Sequence, residues 1–103
     1  MTEPRLTSKE RAQLRSQAHG LEPVQHVGAG GLTPAVLKSL REAFNTRELL
    51  KVKVLETAPD SAYDTGDQIA ERIEGAEVVQ TIGRVVVLYR PLPEEDDTSR
   101  RSS

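Results

Sequence analysis

Hydrophobic residues recur along this chain with two periods. Val36, Leu37, Leu40, Ala43 and Phe44 fall at i, i+1, i+4, i+7 and i+8, which predicts a helix over 33–45 with one buried stripe. Leu50, Val52 and Val54 alternate with Lys51 and Lys53, which predicts a strand over 48–55, aliphatic on one face and basic on the other. Thr7-Ser8-Lys9-Glu10 has the form of a capping box and predicts a helix over 8–18, closed by His19-Gly20. Leu6 is placed to staple its entry. Ala12, Leu14 and Ala18 give that helix a thin apolar face, with Lys9, Arg11 and Arg15 solvated. Residues 22–27 read as a strand. Ile69, Ala70 and Ile73 mark a third helix over 61–74, with Gly75 as its C′ residue. Gly66 inside it costs about 1 kcal/mol relative to Ala. Residues 77–82 and 84–89 read as strands joined at Gly83, a connection short enough to require an antiparallel hairpin.

The resulting order is α-β-α-β-α-β-β. Alternating β and α units imply parallel strands with right-handed crossovers, and the terminal hairpin adds one antiparallel member. The expected fold is a compact single-domain α/β sandwich with a four-stranded mixed sheet, over 5–91. Pro91 and Pro93 end it, and 92–103 form an acidic, polar tail expected to be disordered. No internal repeat is present.

Composition narrows the chemistry. Aromatics are 3% of the 103 residues, so the core must be aliphatic. With no Cys there are no disulfides, thiolate metal sites or Cys nucleophiles. The start, Met-Thr-Glu-Pro-Arg, has no apolar segment behind a basic region, and no run is long enough to span a bilayer. A soluble, cytoplasmic protein is expected, with a monomer favoured. The formal net charge of −2 resides in the tail, where Glu94, Glu95, Asp96 and Asp97 outnumber Arg100 and Arg101. Residues 1–91 are therefore neutral, and any basic surface depends on how cations are grouped.

Between the second helix and the strand before it lies Val27-Gly28-Ala29-Gly30-Gly31-Leu32-Thr33-Pro34. Thr33 is a natural N-cap and Pro34 suits the first helical turn. A G-x-x-G loop entering a helix offers backbone N–H groups at the positive end of a helix dipole, a site for an anion such as phosphate. The same glycines equally suit a plain strand-to-helix turn with φ > 0. A Walker loop is excluded because no Lys-Ser/Thr pair follows, and the Rossmann fingerprint fails because Thr33 stands at its last glycine position.

Lys38 and Arg41 lie three apart on the following helix, off the apolar stripe, and Lys38 leans back toward the loop. If both crossover helices cover the aliphatic face of the 48–55 strand, Lys51 and Lys53 project from an open opposite face. Arg84 at the hairpin adds a further cation. The bland alternative for each is an ordinary solvated face. Asp60, Asp64 and Asp67 at the start of the third helix are explained by dipole complementarity rather than by a metal. His19 and His26 have no motif partner, and His26 is expected to pack. Tyr63, Tyr89 and Phe44 do not form a base-stacking platform. No nucleophile–base pair is visible, so no catalytic residue, metal or cofactor is assigned.

Together these segments resemble a known family. Leu-Thr-Ser-Lys-Glu-Arg at 6–11, Pro-Val at 23–24, Val-Gly-Ala-Gly-Gly-Leu-Thr at 27–33, Glu-Leu-Leu-Lys-Val-Lys-Val at 48–54, Ile-Gly-Arg at 82–84 and Val-Leu-Tyr-Arg-Pro at 87–91 occur in the order seen in CRM domains. The name stands for chloroplast RNA splicing and ribosome maturation, and the chain resembles the stand-alone prokaryotic YhbY type. The resemblance implies a fold related to the C-terminal domain of translation initiation factor three. It also implies RNA binding through Gly28, Ala29, Gly30 and Gly31, with a basic surface at Lys38, Lys51, Lys53 and Arg84. Single-domain members associate with precursors of the large ribosomal subunit, so the implied role is a non-enzymatic assembly factor that binds ribosomal RNA. Arg41 joins that surface by its place on the helix. The chain departs from the usual basic character of the family, with a pI near 5.7 and with Glu42 and Asn45 diluting the second helix. The rival readings are a module that docks a protein partner without RNA and an enzyme for a phosphorylated small molecule.

Overall fold

A computed structural model describes residues 6–92. Three helices, α1 (Ser8–Ala18), α2 (Pro34–Phe44) and α3 (Ala62–Arg72), alternate with four strands, β1 (Gln25–Val27), β2 (Leu49–Val54), β3 (Glu77–Ile82) and β4 (Val85–Tyr89). The expected order and the four-stranded mixed sheet are both present. The expectation for the tail lies outside the described residues.

The helix starts are built as their sequences require. The Thr7 hydroxyl accepts from the Glu10 N–H at 3.1 Å and the Glu10 carboxylate accepts from the Thr7 N–H at 3.0 Å, a complete capping box. The Thr33 and Ser61 hydroxyls cap α2 and α3 with one bond each, accepting from the Val36 N–H at 3.1 Å and the Asp64 N–H at 3.0 Å. Gly83 has φ +57° and Arg84 does not share a positive φ. Positive φ on the first of two hairpin residues is the pattern of a type II′ turn.

The sheet order is β1-β2-β4-β3. β1 and β2 are parallel, and β4 runs antiparallel to both β2 and β3. Thus β1, β2 and β3 point one way and β4 is inserted between β2 and β3. β1 is shorter than the 22–27 strand expected. Pro23 has no N–H to donate, and only the Val24 N–H, bonded to the Lys51 carbonyl at 2.9 Å, extends the pairing backward.

One face of the sheet carries the main core. Leu50, Val52, Val54, Val86 and Leu88 pack there against Leu37, Leu40 and Phe44 of α2 and Ile69 of α3. The single Phe is fully buried, so the core is aliphatic around one ring. The opposite face is not open. α1 covers half of it, burying Ala18 and Leu6 against Val79 and Val87. The expectation of a bare face behind β2 is corrected on this point, and Leu6 belongs to this cluster.

Arg11 fixes α1 in place. Its guanidinium donates to the Val78 carbonyl at 2.8 Å and the Val79 carbonyl at 3.3 Å. The β3–β4 register skips Val79, so a bulge there turns these carbonyls out of the ladder. Arg11 was expected to be solvated; it serves instead as the partner of an edge strand.

Gly66 also has a structural reason. A Cβ added there would lie 2.9 Å from Val86 Cγ1 and 3.3 Å from Val78 Cγ2. The glycine lets α3 sit directly on the sheet. Helix propensity alone predicts that Gly66→Ala stabilises the protein by about 1 kcal/mol. The packing predicts a loss of about 1–3 kcal/mol. Chemical denaturation of the two proteins decides between them.

Candidate functional site

The shared direction of β1, β2 and β3 brings three loops to one pole of the molecule. These are the glycine loop after β1, residues 55–61 after β2, and the β3–β4 turn at Gly83-Arg84. The Leu55 N–H donates to the Val27 carbonyl at 2.9 Å, which extends the β1–β2 pairing up to the loop.

The loop itself is a β-turn. The Gly31 N–H donates to the Gly28 carbonyl at 2.9 Å across Ala29 and Gly30. Ala29 and Gly30 are exposed, Gly28 is half-buried and Gly31 is buried. The four residues therefore differ in role. Gly31 has φ +67°, and a Cβ there would meet Pro59 Cγ at 3.1 Å, so the fold itself needs this glycine. Gly28 and Gly30 lack a positive φ. A Cβ at Gly28 would find ordinary contacts at 3.7 Å with Leu55 Cδ1 and Thr57 Oγ1, and one at Gly30 would lie 3.5 Å from Thr33 Cγ2. Packing does not explain these two glycines.

The amides are distributed in a way the sequence did not reveal. At the start of α2 the Thr33 N–H is bonded to the Gly31 carbonyl, Pro34 has none, and the Val36 N–H is bonded to the Thr33 hydroxyl. Among the described residues the helix N-terminus keeps only the Ala35 N–H without an acceptor. The N–H groups of Gly28, Ala29 and Gly30 have no hydrogen-bond acceptor among the described residues. The turn, more than the helix end, supplies donors for an anion.

The cations fall into two groups. Lys38 is exposed one turn into α2, with no partner among the described residues. Lys53 is exposed near the end of β2, at the loop pole. Arg84 reaches Glu56 at 3.6 Å, with both side chains largely exposed, a pair of small energetic value. Lys51 and Arg41 are held elsewhere. The Lys51 ammonium donates to the Leu21 carbonyl at 3.1 Å, fastening the segment after α1. The Arg41 guanidinium donates to the Arg72 carbonyl at 3.2 Å, tying α2 to the far end of α3. His26, expected to pack, is exposed beside Lys53 in the β1–β2 register.

Thr57 is the residue that sequence reading missed. Its hydroxyl faces Gly28 from the next loop, and nothing in the local sequence marks it. Only the pairing of Val27 with Val54 carries it there. The three aromatic rings are dispersed. Phe44 is in the core, Tyr63 is 68% exposed on α3, and Tyr89 lies beside the α1 cluster. Among the described residues no group of three or more His, Cys, Asp or Glu side chains is placed to hold a metal ion, and no helix is long and apolar enough to cross a membrane. A groove of about 450 Å³ lined by Leu6, Glu10, Leu14, Glu48 and Tyr89 lies at the opposite pole, away from the glycine turn.

The CRS1 / YhbY (CRM) domain pattern matches residues 6–90. The chain belongs to this family. It is 39% identical over 85 residues to the Bacillus subtilis protein named "Probable RNA-binding protein YqeI", covering 82% of this chain and 88% of that one. It is 39% identical over 89 residues to a Haemophilus influenzae protein named "RNA-binding protein", covering 86% and 89%. The solution structure of the hypothetical protein SAV1595 from Staphylococcus aureus is similar with a TM-score of 0.72 and 35% identity, over 86% of this chain and 92% of that one. In this CRM domain, Lys53 and Arg84 lie with the glycine turn at the loop pole, and Lys38 is one turn into α2, on the other side of the sheet from Lys53.

The division among the glycines is measurable. Gly28→Ala and Gly30→Ala are expected to leave the unfolding midpoint nearly unchanged. Gly31→Ala is expected to cost about 1 kcal/mol or more, because Ala must adopt φ > 0 against Pro59. Equal losses for all three would show that the turn is purely structural.

Proposed function

We propose that this chain binds RNA through its phosphate backbone, as an assembly factor acting on ribosomal RNA of large-subunit precursors. The carrying observation is an exposed turn whose three free amides belong to residues with no steric need for two of their glycines. A side chain at Gly28 or Gly30 would obstruct a ligand, not the fold. Phosphate oxygens accept from such amides, and Lys38 and Lys53 neutralise neighbouring linkages. Arg84 exchanges its weak pairing with Glu56 for a phosphate. The names of the relatives support RNA as the ligand class, and the resemblance noted from the sequence supports the ribosomal target.

Contacts of this kind position RNA without reading bases, so selectivity rests on the shape of the folded RNA. Three cations and a small set of amides make a modest electrostatic footprint. For a single strand the logarithm of affinity is expected to fall with the logarithm of salt at a slope of about −2, from about −0.7 per neutralised phosphate.

Replacing both Ala29 and Gly30 with Asp puts two negative charges on an exposed turn. The variant is expected to stay folded and to lose at least about ten-fold in affinity for a ribosomal RNA fragment. It is also expected to leave the large-subunit precursor fractions of a sedimentation gradient. Lys38→Gln is expected to reduce the salt slope by about 0.7. Unaltered binding by a folded Asp variant would remove the turn from the mechanism.

A further inference from the structure

The strand registers build a second surface beside the glycine turn. His26 of β1 is opposite Lys53 of β2, Lys53 is opposite Val85 of β4, and Val85 is opposite Ile82 of β3. These four side chains form one row across the whole sheet, on the face that α1 only half covers. The next row inward, with Lys51, Val87 and Gln80, is where α1 ends. There Arg15, Ala18 and His19 border a small depression of about 40 Å³ that reaches Ile82. The outer row is uncovered. His26 and Lys53 are exposed, Val85 is half-buried, and Ile82 is 54% exposed, unusual for an Ile in a strand.

We infer that this row seats an unpaired nucleobase, with Ile82 and Val85 under the base and Lys53 and His26 along its backbone. The inference rests on the RNA-binding reading above and extends it from phosphates to a base. Continuity carries it first. Gly28 is two residues beyond His26, so a strand whose phosphate lies on the glycine turn meets His26 and Lys53 as it passes over the end of β1. Charge carries it second. Lys53 is opposite Val85 in the register, Arg15 borders the same depression as Ile82, and Arg84 follows Ile82 in the hairpin, where Glu56 is its partner at 3.6 Å. A patch of two aliphatic side chains is too small for the core of a protein interface. It matches the apolar face of one base, whose charged linkage the lysine meets. Aliphatic contact reads no base edge, so the seat tolerates sequence but requires a base.

The test separates base from phosphate. Ile82→Thr keeps a β-branched residue in the strand while removing apolar surface. Binding of a short oligouridylate and of inorganic polyphosphate is measured for the wild type, Ile82→Thr and the doubly Asp-substituted turn. Ile82→Thr is expected to weaken the oligouridylate about three- to five-fold and to leave polyphosphate unchanged. A 4-thiouridine in the oligonucleotide is expected to crosslink to β3 or β4 near Ile82. The seat is overturned if Ile82→Thr binds both ligands as the wild type does, if it weakens both equally, or if it releases a protein partner while RNA binding persists. The turn variant reports on the earlier reading separately. If it alone loses binding, the phosphate site stands and the base seat falls. If it binds polyphosphate normally, the phosphate site falls and the Ile82 comparison still judges the seat.

Discussion

Because β1 and β2 run side by side in the same direction, the chain must leave the end of β1, cross the sheet as α2 and return to the start of β2. That pairing sets the position of everything at the loop pole. It brings Val27 beside Val54, and the Leu55 N–H bond to the Val27 carbonyl continues it by one residue. The two loops that follow then lie against each other, with Pro59 packed on Gly31 and Thr57 facing Gly28. The turn between Gly28 and Gly31 is thus held from below by the sheet and from the side by a second loop. Its central residues remain exposed, and their amides remain free. A donor array fixed before a ligand arrives loses little entropy when one binds.

The sheet divides the cations between structure and surface. β2 alternates buried aliphatics with lysines, and its two lysines have different fates. Lys51 lies where the chain returns from α1 and holds the Leu21 carbonyl. Lys53, one pleat further toward the loop pole, extends past the helix. Arg11 and Arg41 are likewise used to fasten elements, Arg11 at the β3 bulge and Arg41 between α2 and α3. The loop pole carries both signs, with Lys53, Arg84 and His26 beside Glu56, Asp60 and Asp64, so an anion there is held by the turn amides and individual cations rather than by a broadly basic surface. Net charge describes solubility and long-range attraction, not the potential at one turn.

Most of the architecture was legible in the sequence because its signals are local. Thr7 and Thr33 announce two helices, the spacing of Ile69, Ala70 and Ile73 marks the third, Gly75 and Gly83 end elements, and the period of two in β2 assigns its faces. The departures come from contacts between distant residues. The chain around Arg11 gives no sign of the β3 bulge it serves. Gly66 looks like a flaw in α3 until Val86 is seen beneath it. The glycine loop was legible as a motif, but the separate roles of its residues were not. Gly31 is required by φ and by Pro59, whereas Gly28 and Gly30 are not, and that distinction depends on a contact with a residue 28 positions further along the chain. For the same reason the row of His26, Lys53, Val85 and Ile82 is invisible along the chain, since its members come from four strands.

The most direct measurement is a titration of isotope-labelled protein with a short single-stranded RNA, followed by backbone amide chemical shifts. The amides of Gly28, Ala29, Gly30 and Ala35 are expected to shift first and furthest, with Lys38 and Lys53 close behind, and the effect is expected to weaken as salt is raised. Shifts that instead gather around Leu6, Glu10 and Tyr89 at the opposite pole, with the turn unmoved, would contradict the account.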